Sequence, residues 1–388
     1  MKNIKHIFFH LVDNGDDPFY GIKKTISKKI PHADISDMSF STQSQKTIQD
    51  VEYSKKLFFR FYYYRKVFKE LKKILKNKLS NVKQEKIYIY ISDEGFWPDF
   101  ILSALKKNYY QKKLNNIYII NVQHGFFDLE KSGFALTYYG FLIRKFSNFL
   151  SSIFFGYNNF GYGFFRSNSI YKYLVYSNLE KDFINNLGKR NVLPCQNLIK
   201  TKLKNNYQKA KNINRNEENS KKTVLIIMPY FVSNISGIGP DGTLEDMLFL
   251  LKDVLTKIIN KGFYVCIRFH PGTSELETSS ALKSVQFPKD IYIDKSKDIS
   301  EALSQASFVA AFGSTVLIDA KMLGIVPINI YTNLYKNKVQ FQHELIDCEN
   351  KVQKAVETIF TEDTILKYKK LDDLTQCSEE DLIEFLEI

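Results

Sequence analysis

The chain has 388 residues, 44% of them hydrophobic and 25% charged. That composition excludes a disordered or low-complexity protein, and the length exceeds one ordinary core, so two domains of about 150–200 residues are expected. Lysine and arginine (55) outnumber aspartate and glutamate (42), giving a formal net charge of +13. The excess reflects a lysine-rich bias and also suits an anionic partner: phosphate, nucleic acid or an acidic membrane face.

The opening "MKNIKHIFFHLVDNGDDP" starts basic and turns apolar, but His6 and His10 interrupt it. It reads as a first strand rather than a signal peptide. Further strands read at "KIYIYIS" (86–92), "NIYIINV" (116–122) and "KYLVYSN" (172–178), with helices around 53–78 and 98–108. Between them, residues 138–165 interleave aromatic and basic side chains with few acids. Two readings stand for that stretch: an interfacial amphipathic helix on an anionic membrane surface, or a helix packed in the core. No run of about 20 apolar residues is present, so no membrane span is expected and a cytoplasmic protein, peripheral at most, is. Cys195, Cys266, Cys348 and Cys377 form no C-x-x-C, which argues against a zinc site or disulfide framework and fits a reducing compartment.

Residues 202–222, rich in Asn and Lys, mark the boundary. The expected division is a first domain over 1–205, a linker over 206–222, and a second domain over 223–388. The second half alternates regularly. "TVLIIMPYF" (223–231) is a buried strand, followed by the glycine loop "SNISGIGPDG". A helix over Thr243–Lys261 puts Leu244, Met247, Leu248, Leu251, Val254, Leu255 and Ile258 on one face, and Gly262 ends it. Strands follow at "FYVCIRF", "IYID", "SFVAAFG" and "IVPINIY", with helices at "DISEALSQA" and "STVLIDAKMLG". Apolar strands alternating with helices indicate parallel sheets covered on both faces.

Three features converge on the carboxyl ends of these strands, where ligands of open parallel sheets bind. His270 ends the second strand; Pro271 stops the ladder, and Gly272 lets backbone approach a ligand. Gly313 ends a later strand, and Ser314 and Thr315 stand at a helix start that suits an anion as well as an ordinary cap. Asp319, four residues on, reads either as a ribose contact or as a solvated acid. Gly237 and Gly239 lie in the loop before the first helix of this half.

"RFHPG" together with "FGSTVLIDAKMLGIVPI" resembles the HP and Ser/Thr motifs of bacterial sialyltransferases and capsule glycosyltransferases, and "YIYISDEGFWPD" resembles their D/E-D/E-G motif at Asp93-Glu94-Gly95. The resemblance covers the second half and points of the first. It implies an α/β chain of GT-B architecture, two Rossmann-like domains with parallel sheets facing across a cleft. It also implies that His270, Ser314 and Thr315 bind the phosphate of a CMP-sugar and that Asp93 or Glu94 is the general base. "NVQHGFFD" is similar to the H-G element of CDP-glycerol polymerases, which keeps His124 open as the base and a CDP-polyol phosphotransferase, or another nucleotide-sugar transferase, open as the activity. No D-x-D follows a strand, so a metal-independent reaction with no cofactor is expected.

The resulting expectation is an inverting glycosyltransferase that moves a sialic-acid-type nonulosonic acid from a CMP-sugar onto a surface glycan or glycolipid acceptor: capsule, O-antigen or lipooligosaccharide. A nucleic-acid-binding protein using the +13 charge is the reading from another class, but no recognised RNA or DNA motif supports it and no nucleic-acid partner is expected.

Overall fold

The computed structural model describes residues 4–10, 17–41, 57–79, 86–92, 97–108, 116–123, 170–189, 191–214, 222–229, 243–270, 273–287, 291–296, 298–312, 314–330, 346–348, 359–368 and 377–387. The chain divides into two compact units, 1–202 with 375–388, and 203–374.

In the first unit the elements run β1 (Ile4–His10), α1 (Tyr20–Lys29), β2 (Asp34–Ser39), α2 (Leu57–Leu79), β3 (Lys86–Ile91), α3 (Trp97–Asn108), β4 (Ile117–Val122), β5 (Ile170–Val175), α4 (Asn178–Asn186), β6 (Val192–Pro194) and α5 (Gln196–Ile199). The strands pair in parallel in the order β2-β1-β3-β4-β5-β6. Chain direction across the sheet reverses between β1 and β3, which is the topological switch point. β3 shows why the sheet needs cover on both sides. Ile87, Ile89 and Ile91 join a core with Leu71 and Leu75 of α2 and Phe100 and Leu105 of α3. On the other face Tyr88 and Tyr90 stack on His6, and Tyr90 also on Phe8. α1 comes close to α5 at Gly21, where a Cβ would stand 2.0 Å from the Leu198 carbonyl oxygen.

α6 (Thr201–Asn214) leads into the second unit. There the order is β7 (Thr223–Ile227), α7 (Leu244–Asn260), β8 (Tyr264–Arg268), α8 (Glu275–Val285), β9 (Ile291–Ile293), α9 (Ile299–Gln305), β10 (Ala306–Ala311), α10 (Val316–Met322), β11 (Val326–Ile330), β12 (Ile346–Cys348) and α11 (Glu362–Tyr368). The parallel sheet reads β12-β11-β10-β7-β8-β9, the Rossmann order, with its switch point between β7 and β10. α7 begins with a capping box, Thr243 Oγ1 accepting from Asp246 N–H while the Asp246 carboxylate accepts from Thr243 N–H. The seven apolar positions expected on one face of this helix are all buried. Gly262, at φ +85°, turns the chain out of it.

Two expectations are corrected. Residues 206–214, expected in a linker, are helical, because Leu203 and Tyr207, one turn apart, are buried and anchor α6. The last helix, α12 (Glu379–Leu386), groups with the first unit rather than with 223–388. Asn197 holds it at one end, bonding both the Cys377 carbonyl (2.8 Å) and its N–H (3.2 Å). Tyr88 Oη holds the other, donating to the Leu386 carbonyl at 2.8 Å. Residues 138–165 lie outside the described residues; among those described, no helix is long and apolar enough to cross a membrane.

Candidate functional site

β10, β7 and β8 are neighbours, and Ala311, Ile227 and Arg268 stand level across them. His270 follows two residues beyond Arg268, and Ser314 three beyond Ala311. Two strand spacings, roughly 9.5 Å, therefore separate the two exits on the carboxyl edge. The strand between them is β7, at the switch point.

Each flank has its own local chemistry. The His270 carbonyl accepts from Thr273 N–H at 2.9 Å, closing the turn after β8. His270 is an exposed residue, yet desolvation of its ring lowers its pKa below 6.5, so the imidazole is neutral at pH 7. Arg268 is committed elsewhere. Its guanidinium pairs with Asp294 and donates to Ser296 Oγ (2.9 Å) and the Ser296 carbonyl (3.1 Å). The clip continues: Ser296 Oγ donates to the Asp298 carbonyl (3.2 Å), and Asn206 of α6 donates to the Asp298 carboxylate (2.7 Å). On the other flank Ser314 Oγ accepts from Val316 N–H at 3.3 Å, and the Ser314 and Thr315 carbonyls accept from Leu317 and Ile318. Thr315 makes no side-chain cap bond. Asp319 is buried, which rules out the reading as a solvated acid.

The helix starts around this edge are not equivalent. α7 carries Glu245 and Asp246 in its first turn, and α8 carries Glu275 and Glu277, so their dipoles already have negative partners. Among the described residues, the Ser314-Thr315 turn before α10 opens without an exposed carboxylate; its first-turn acid is the buried Asp319. Pro271, Gly272, Gly313, Gly237, Gly239, Asp93, Glu94 and His124 lie outside the described residues. Among the described residues no three His, Cys, Asp or Glu side chains converge to hold a metal ion.

The first unit holds a second cluster of titratable side chains, around His10. His10 is the last residue of β1, on the carboxyl edge beside the switch point. Its Nε2 lies 2.8 Å from Asp37 Oδ1 on β2. Lys23 of α1 lies 2.6 Å from the same oxygen, 3.1 Å from Asp17 Oδ2 and 3.3 Å from His10 Nε2. Asp17 is fixed in turn, accepting from Phe19 N–H at 2.9 Å. The Lys23 ammonium also sits over the rings of Phe8 and Phe19. Partial burial pushes the Asp37 pKa up, but the bonds from Lys23 and His10 outweigh it and hold the carboxyl below its usual range. The signal was legible: "HIFFH" ends an apolar strand on a histidine, as "VCIRFH" does at His270.

No protein-family model matches the sequence, and no curated protein does. Solved structures are similar along nearly the whole chain. The UDP-GlcNAc 2-epimerase from Neisseria meningitidis bound to UDP-GlcNAc aligns with a TM-score of 0.59 at 9% identity, covering 99% of this chain and 99% of that one. The S. aureus MnaA–UDP complex aligns at 0.53 and 11% identity, covering 95% and 91%. A glycosyltransferase of kitacinnamycin aligns at 0.50 and 9% identity, covering 99% and 94%. Identities this low establish the fold and nothing finer. With its two all-parallel sheets, one of them in Rossmann order, the chain has the GT-B fold.

Proposed function

We propose that this protein is an inverting glycosyltransferase that takes a nucleotide-activated sugar, a CMP-linked nonulosonic acid first among the candidates, and transfers it to a hydroxyl of a surface glycan. The observation that carries the reading is the placement of His270 after β8 and Ser314-Thr315 after β10, on either side of β7 at the switch point of a Rossmann-ordered sheet. A phosphate bound there would accept from the imidazole on one flank and from hydroxyl and backbone N–H groups on the other. These donors stabilise a departing phosphate without needing a metal. Gly313 and Gly272 would let backbone approach it, and Gly237 and Gly239 would contribute from the loop after β7. The acceptor hydroxyl needs a base, for which Asp93, Glu94 and His124 are the candidates read from sequence. Contact with an anionic membrane through 138–165 belongs to the same reading, since it would bring the enzyme to a lipid-linked acceptor.

A UDP-sugar enzyme is the second reading, favoured by the UDP and UDP-GlcNAc named in the similar structures. Thermal-shift titration with CMP, CDP, UDP, GDP and TDP separates the two. CMP raises Tm most if the first reading holds, and the His270→Ala variant needs more of it for the same shift. A shift with UDP alone overturns the CMP assignment. No shift with any nucleotide overturns both.

A further inference from the structure

We propose that Arg268 is a positioning residue for His270: its bonds to Asp294 and Ser296 hold the end of β8, so that the imidazole is oriented before a phosphate arrives. The inference rests on the phosphate reading above, and both residues belong to the second unit. Val265 and Ile267 are buried in the core of that unit, and Phe269 still packs against it past the end of the strand. Side chains alternate along extended chain, so Arg268 and His270 share the opposite face, two residues apart. The ladder is running out here. β8 pairs with β9 as far as Ile267 opposite Ile293. Asp294 N–H donates to the Ile267 carbonyl and Met228 N–H to the Arg268 carbonyl, both at 2.9 Å. From there the Arg268 side chain takes over the tie between the two strand ends, bonding Asp294, Ser296 Oγ (2.9 Å) and the Ser296 carbonyl (3.1 Å).

What Arg268 grips is itself fixed. Asp294 Oδ1 accepts from Ser296 N–H at 3.0 Å, and Asp298 caps α9 by accepting from Ser300 N–H at 2.9 Å. The Arg268 and Asp294 side chains keep only 12% and 10% of their exposure. Desolvating such a pair offsets much of its attraction, and an apolar pair would hold the sheet as well. A guanidinium with three acceptors also fixes direction, which an apolar pair does not. Asp294 neutralises the guanidinium, so its charge is satisfied before it can compete with His270 for a phosphate. Desolvation alone shifts the His270 pKa, which leaves geometry as the means by which Arg268 acts. An imidazole ordered in advance relieves binding of that ordering entropy.

The test is a double-mutant cycle on the full chain, read by calorimetric titration with CMP and with UDP at pH 7.5 and pH 6. Arg268→Met combined with Asp294→Leu removes the pair without stranding a charge. For whichever nucleotide the wild type holds tighter, it should weaken binding by at most about 13-fold, the share His270 carries. It should also cancel the rise in affinity at pH 6. In the His270→Ala background the same two substitutions should change neither. Ser296→Ala removes one of the three acceptors and needs no repacking; it should show the same pattern with a smaller loss, and it decides the matter if the double variant does not fold. A merely structural clip would lower Tm and weaken binding equally in both backgrounds. That result overturns the positioning role and leaves the phosphate reading standing. Equal binding by wild type and His270→Ala, or no binding of either nucleotide by the wild type, overturns the phosphate reading at His270 and the positioning role with it.

Discussion

Lys172 Nζ lies 2.9 Å from Glu387 Oε1, 215 residues further along the chain. Tyr171 donates to the same oxygen at 3.0 Å, and Lys86 reaches the other at 3.4 Å. Three groups of the first unit thus grip the residue that ends α12. The bond from Lys172 leads in lowering the Glu387 pKa from 4.5 to about 2; desolvation opposes it, and Tyr171 and Lys86 add to it. A depressed carboxylate stabilises the fold above its unfolded pKa and loses that contribution as pH falls, here between about 4.5 and 2. Glu387 is half exposed, so solvent screening limits the contribution to about 1 kcal/mol or less. Glu387→Gln should therefore leave global unfolding nearly unchanged and raise amide exchange across 379–386. Unchanged exchange there would show that Asn197 and Tyr88 suffice to hold α12.

His6 gives the same pH sign from a different cause, burial that disfavours its charged form. It is fully buried against Tyr88 and Tyr90, with Nδ1 2.9 Å from Tyr90 Oη, and desolvation lowers its pKa from 6.5 to about 4, against a small upward pull from Asp34. The unfolded chain takes up this proton near 6.5 and the folded chain only near 4, so stability falls as pH drops through that window. The imidazole accounts for about 3 kcal/mol across it. Urea unfolding at pH 7 and pH 4.5 should show the loss in the wild type and a flatter dependence in His6→Phe. Equal slopes in both would assign the acid sensitivity elsewhere.

Gly21 tests the packing of α1. In an exposed helix, Gly→Ala gains about 1 kcal/mol. Here the new Cβ would meet the Leu198 carbonyl oxygen at 2.0 Å and Thr201 Oγ1 at 2.3 Å. The first is backbone and cannot swing away, so the clash wins, and Gly21→Ala should destabilise by about 1–3 kcal/mol, read as a lower Tm. A raised Tm would mean that α1 and α5 separate easily.

Much of this was legible because particular residues left one option. α7 repeats Leu and Val at helical spacing for four turns, and β3, β4, β7 and β10 are runs too apolar to face water. β2 is hard to read because "DISDMS" buries only Met38, and the three-residue β6 and β12 each include a residue that breaks an apolar run, Pro194 and Asp347, which the equally short β9 does not. The helical signal of α6 rests on Leu203 and Tyr207 among Asn and Lys, a composition that reads as a linker. The return of α12 to the first unit depends on pairs such as Tyr88–Leu386, 298 residues apart, which local patterning cannot carry. At the candidate site, strand ends located His270 and Ser314. His10 obeys the same rule, but in sequence it only interrupts an apolar run, and its partners Asp37 on β2 and Lys23 on α1 meet it through tertiary packing.

His270 separates two ways of binding phosphate. Its pKa lies below 6.5 through desolvation alone, so at pH 7 it offers a neutral N–H rather than a charged one. A neutral hydrogen bond contributes about 0.5–1.5 kcal/mol, and His270→Ala should weaken CMP binding about 2–13-fold at pH 7. Bound phosphate favours the imidazolium, which raises the pKa in the complex. Affinity should therefore rise as pH falls from 7 toward the unbound pKa, and the rise should vanish in His270→Ala while Ser314→Ala keeps it. Calorimetric titration of CMP at pH 7.5 and pH 6 measures both, with the nucleotide's own phosphate ionisation corrected from the His270→Ala series. An equal pH dependence in wild type and His270→Ala would mean that the imidazole does not touch the phosphate, and the site would then rest on Ser314 and Thr315.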